Sequence, residues 1–178
     1  MNILDIDHIE LYVGDATAVA QSLCAAYDFR VYGHGGPDTG LPGQRTILLG
    51  QGDVRVLLTT GLNKEHPASQ FVAKHGDGVA VTAFGTDSAA IAYTDAVAAG
   101  GTGIHQPSTW EDGETSVVTA EVAGFGDVVY RLVERHGSDS CGSSVLDGGD
   151  GAGDRDQRPA RGSAGTRPAA AGPRAGRA

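Results

Sequence analysis

Apolar and polar positions alternate from Ile6 to Val13. Ile6, His8, Glu10 and Tyr12 share one face, and Asp7, Ile9, Leu11 and Val13 share the other, which predicts a β-strand. Gly14-Asp15 ends it, and Asp15 is placed to cap a helix in which Val19, Leu23, Ala26 and Tyr27 recur at helical spacing. Phe29–Tyr32 reads as a second strand. Gly33–Gly43, with five Gly and two Pro, reads as a loop. Thr46–Leu49 and Val54–Thr59 form a hairpin around Gly50-Gln51-Gly52-Asp53. A connector over residues 63–75 carries a short helix that starts at Pro67. The cycle then repeats. Val79–Phe84 is a strand, Thr86-Asp87-Ser88 a cap and Ala89–Ala99 a helix stopped by Gly100-Gly101. Residues 102–113 are a strand or loop, and Ser116–Val122 and Val128–Val133 are strands. The fold class is therefore α+β: two β-α-β-β-β modules, about residues 3–62 and 78–137, whose strands curl into one shared cup with the helices outside. A cup of this kind suits a small ligand or a metal.

The pattern stops after Gly137. Residues 138–178 hold nine Gly, eight Ala, six Arg and three Pro, and are expected to be disordered. Residues 138–154 carry a charge of −4 and residues 155–178 one of +5. The composition fits a GC-rich gene read out of frame, so the chain reads as truncated. A basic arm for nucleic acid is the weaker reading, because no aromatic residues interleave the arginines. Without the tail, seven Lys+Arg face seventeen Asp+Glu, a net charge of −10. That field disfavours nucleic acid and anionic membranes as partners. No apolar run approaches 18 residues, and the acidic start, MNILDIDHIELYV, is not a signal peptide. Cys24 in a helix and Cys141 in the tail read as two free thiols in a reducing cytoplasm.

Three strings narrow the reading: DIDHIELYV (Asp5–Val13), KHGDGV (Lys74–Val79) and GFGDVV (Gly124–Val129), with His66-Pro67-Ala68 ahead of the second. Together with the repeat they resemble the vicinal oxygen chelate superfamily, with its glyoxalase-like fold. Within it they resemble the N-terminal domain of 4-hydroxyphenylpyruvate dioxygenase and 4-hydroxymandelate synthase, over residues 3–137. The resemblance implies aromatic amino acid metabolism and a non-haem Fe(II) enzyme. Its two His and one Glu leave open positions for oxygen and an aromatic 2-oxo acid. It also implies that the iron lies in a C-terminal domain, and that the N-terminal domain keeps the fold without the site.

The ligand positions agree. The first is His8, the second falls on Val81, which cannot ligate, and the third falls near Arg131, a cation where a carboxylate is needed. No catalytic, cofactor-binding or metal residue is therefore assigned, and no cofactor is expected in this chain alone. His8 and Glu10 share a strand face and could share a cation, but with no third ligand visible Glu10 reads as a solvated or paired carboxylate. His75-Gly76-Asp77-Gly78 reads as a connector whose glycines permit a positive-φ turn. His34 and His105 fall in loops, His66 at a helix entry and His136 at a strand end. Tyr12, Phe84, Trp110 and Tyr130 form either core or one aromatic wall. Two functions stay open. One is a non-catalytic domain of such a dioxygenase, inactive alone. The other is a free-standing small-molecule binding protein, with a homodimer as one arrangement. Whether the chain is itself an enzyme is left open.

Overall fold

The computed structural model describes residues 2–112 and 115–137; the residue 138–178 tail and Cys141 lie outside them. The first repeat comprises β1 (Ile3–Tyr12), α1 (Ala16–Tyr27), β2 (Arg30–Gly35), β3 (Gln44–Gln51) and β4 (Val54–Gly61), with a single 3-10 turn at Pro37–Thr39. After α2 (Pro67–His75) the second repeat runs β5 (Gly78–Thr86), α3 (Ala89–Ala98), β6 (Gly103–Asp112), β7 (Thr115–Ala123) and β8 (Val129–His136). The eight strands form one curved sheet in the order β2-β3-β4-β1-β5-β8-β7-β6. The order is symmetric about its centre. β1 pairs antiparallel with β5, and each of these pairs parallel with the last strand of its own repeat.

Helix boundaries follow their caps. The Asp15 carboxylate accepts from the amides of Thr17 and Ala18 to start α1, and Asp28, at φ 57°, ends it. α1 packs on Val13, Ile47, Leu49 and Leu58. α3 presents Ala89 and Ala92 to Ala120 and Leu132, a closer contact made by small residues. Both helices therefore lie on one face of the sheet. The other face is the inner one, and only α2 crosses it, resting on β4, β1 and β5. A Cβ at Gly61 would collide with the Ser69 hydroxyl and the His66 ring, so the close approach of α2 depends on that glycine.

Three expectations need correction. β2 continues through His34 to Gly35, so the Gly-rich loop begins only at Gly36. Residues 103–112 are a full edge strand, which places His105 on a strand; Pro107 is tolerated because an edge needs no second ladder. The simple alternation of β1 is broken by register shifts, including one between Ile6 and His8.

His66 caps α2 through its ring. Nδ1 accepts from the Ala68 amide at 3.1 Å, and Nε2 lies 3.0 Å from the Gln44 side-chain oxygen. Only the neutral ring, protonated on Nε2, makes both bonds. Burial, opposed by the Glu10 charge, lowers the His66 pKa below 6.5. The cap's stability is therefore fully present above that value and lost as pH falls through the lowered pKa. Protection factors of the α2 amides, corrected for the intrinsic exchange rate, are expected to fall on acidification through the lowered His66 pKa, and His66→Asn, which caps without titrating, should remove that step. Leu58→Ala, at a fully buried position, should cost about 3 kcal/mol in urea unfolding with an unchanged slope.

Candidate functional site

The strand registers align one row of residues across five strands of the inner face. His8 on β1 sits opposite Ala83 on β5, Ala83 opposite Arg131 on β8, Arg131 opposite Glu121 on β7, and Glu121 opposite His105 on β6. Ala83 is the smallest member of the row and fully buried. Its short side chain leaves the space through which Arg131 reaches across β5 to β1. There Arg131 Nη1 donates to Glu10 Oε2 at 2.9 Å and lies 3.5 Å from His8 Nε2, while its Nε donates to Glu121 Oε1 at 2.8 Å. Glu10 and His8 are only 5% and 4% exposed, so the Glu10 carboxylate meets Arg131 out of water.

Each end of the row is anchored. At the bulge in β1, Asp7 is an extra residue against β5, which lets it bond to its neighbour. Its carboxylate accepts from His8 Nδ1 at 2.6 Å and from Arg135 Nε and Nη2 at 2.7 and 2.8 Å. Burial alone would raise the Asp7 pKa; Arg135 and His8 overcome it and hold the carboxyl well below the usual range. The His8 ring is thus held between the Asp7 carboxylate at Nδ1 and the Arg131 guanidinium near Nε2. At the other end, Glu121 bonds His105 at 2.5 Å, and Arg131 and His105 lower its pKa against burial. Arg131 is held firmly protonated, because Glu10 and Glu121 outweigh its burial. Glu10 also accepts from Thr59 at 2.6 Å. Thr59 touches Thr46, Thr46 accepts from Gln44, and Gln44 meets His66, so polar contacts run on to the cap of α2.

Glu10 is a paired carboxylate, and its partner is the guanidinium of Arg131. A 2-His-1-carboxylate iron site does not fit these residues. Val81, opposite Glu10 in register, offers no donor, and a fixed positive charge lies between the two potential ligands. Among the described residues no group of three or more His, Cys, Asp or Glu is disposed to hold a metal. The four aromatic residues do not form one wall. Tyr12 meets Phe71 of α2 edge-on at 5.7 Å, Phe84 pairs with Tyr130, and Trp110 stands opposite Val117. Strand alternation puts Phe84 in register with Leu132, on the α3 face, away from the row. Gly76 alone in the HGDG string has positive φ, 76°, and His75 bonds Asp127. His136 bonds Glu134 at the end of β8.

Sequence reasoning passed over Asp7, Thr59, Ala83 and Glu121. Glu121 and Arg131 carried a usable signal, as single opposite charges inside the stretches SVVTAEVA and VVYRLV. Ala83 had none, because its importance lies in what it leaves empty.

Comparison with known proteins bears on the family and the fold. The family model for the N-terminal domain of hydroxyphenylpyruvate dioxygenase matches residues 43–148. The 4-hydroxyphenylpyruvate dioxygenase of Yarrowia lipolytica is 30% identical over 133 residues, covering 72% of this chain and 34% of that protein. The Aspergillus fumigatus enzyme is 29% identical over 143 residues, covering 72% and 36%. The chain thus spans about a third of the length of these relatives. A variant of 4-hydroxymandelate synthase from Streptomyces coelicolor superposes with a TM-score of 0.71 at 27% identity, over 83% of this chain and 45% of that one. A methylmalonyl-CoA epimerase, at TM-score 0.62 and 20% identity, shares the fold. With the family match extending over more than half of its length, the chain belongs to the hydroxyphenylpyruvate dioxygenase N-terminal domain family.

Proposed function

We propose that this chain is a non-catalytic domain of a 4-hydroxyphenylpyruvate dioxygenase-like or 4-hydroxymandelate synthase-like protein. In this reading it holds the family's fold, supports a catalytic domain by packing against it, and does no iron chemistry with its own residues. The observation that supports the reading is Arg131, whose guanidinium lies against His8 and Glu10 where a metal-binding relative would need a third ligand. A cation carried by the protein gives this site the charge balance of a metal centre without open coordination positions. Fe(II) and an aromatic 2-oxo acid belong, on this proposal, to residues outside this chain. The domain would work in a reducing cytoplasm, with Cys24 a thiol packed against the α1 core.

Oxygen uptake by the purified chain with Fe(II), ascorbate and 4-hydroxyphenylpyruvate is expected to match the protein-free background. Protein-dependent uptake with carbon dioxide release would overturn the reading. Arg131→Met should destabilise the domain by about 3 kcal/mol, because it strands Glu10 as a buried charge. Adding Glu10→Gln to that variant should restore much of the loss in chemical denaturation. Ala83→Leu, which fills the passage used by Arg131, should cost at least as much as Arg131→Met.

A further inference from the structure

A second concave feature lies apart from the Arg131 row, under α2. A cavity of about 320 Å³ is lined by Tyr12 of β1, Phe71 and Lys74 of α2, Ala80 of β5, and Asp127 and Val129 at the β7–β8 turn, among others. Its volume falls at the lower end of the range for small-molecule sites and matches a single ring with a short side chain. The apolar part is aromatic and aliphatic: the Tyr12 and Phe71 rings meet edge-on at 87°, beside Ala80 and Val129. Phe71 also meets the His75 ring at 4.8 Å, which leaves its remaining surface to a planar guest. The Tyr12 hydroxyl has no hydrogen-bond partner among the described residues. Burial and the Glu10 charge raise its pKa, so it stays a neutral phenol.

The polar part is Asp127. Lys74 Nζ and His75 Nε2 both bond to its Oδ2, at 2.5 and 2.6 Å, and Oδ1 has no partner among the described residues. Those bonds hold the Asp127 carboxyl below its ordinary pKa, so it is charged at neutral pH. The Lys74 side chain is 66% exposed and that of Asp127 46% exposed, so exchanging one ammonium for another costs little. The field of the domain, net −10 over residues 1–137, draws cations towards this rim and repels anions.

We propose that this cavity binds a small aromatic amine, with its ammonium on Asp127 and its ring against Phe71 and Tyr12. The ligand's ammonium replaces that of Lys74, and ring–ring contact supplies the apolar share of the affinity. The cavity borders the Arg131 row through Tyr12, which feels the charges of Glu10 and Arg131, but uses none of its ion-paired residues.

The test is a titration of the full chain with 2-phenylethylamine, followed by amide shifts in nitrogen-15 NMR. Saturable shifts are expected at Tyr12, Phe71, Ala80 and Val129. 3-Phenylpropionate, the same skeleton ending in a carboxylate, should leave them unmoved. Asp127→Asn should weaken amine binding by about fivefold, and Lys74→Gln, which removes the competing ammonium, should tighten it by about threefold. Both positions are exposed, so neither change threatens the fold. An absent amine response, an equal or stronger response to the carboxylate, or a Lys74→Gln variant that binds the amine more weakly would overturn the proposal.

Discussion

Of the ion pairs that join the two repeats, Arg131 with Glu10 is more buried than Arg135 with Asp7, and Glu121 completes it from the far side. Glu10 and Glu121 stand on strands three places apart, about 14 Å at ordinary strand spacing. A point-charge ammonium cannot serve both. A guanidinium can, because its Nε and Nη1 donate in different directions from one rigid plane. Taking three charges out of water is costly. The return is a contact that only one register satisfies: a slip of either β1 or β8 by one residue would turn Glu10 or Arg131 to the other face. The hydrogen bonds from Thr59 to Glu10 and from Arg135 to Asp7 complete the polar accounting around the row.

The two repeats share a topology but solve their packing differently. α1 meets the sheet through larger side chains, Leu49 and Leu58, whereas α3 lies close on Ala89 and Ala92. The inner face is also asymmetric. α2 covers the end where β4, β1 and β5 meet, and the polar network stops at its cap on His66. The row from His8 to His105 lies beyond that cover. This asymmetry separates an ionic centre, with no ligand set for iron, from an apolar cavity with a carboxylate at its rim.

Much of this was legible in the chain. The 73-residue offset of the repeat recurs in the structure between the helix caps Asp15 and Ser88, and Asp15, Ser88 and Pro67 mark the starts of the three helices. The absence of a ligand at Val81 and the wrong charge at Arg131 could be read from residue type alone. Local rules failed where a residue's environment came from distant strands. His105 looked like a loop residue between Gly103 and Pro107, but pairing with β7 makes it part of an edge strand.

What the sequence determined by itself was therefore the inventory: two repeats, their helix boundaries and an acidic domain. Those follow from side-chain period, cap chemistry and ionisation, which are properties of a residue and its near neighbours. The tertiary structure decided the partnerships. The bulge that lets Asp7 orient its neighbour His8, the gap over Ala83 that admits Arg131, and the cavity between Phe71 and Asp127 all depend on the register of strands far apart in the chain. Register is a collective result of packing one face of the whole sheet, and no local window contains it.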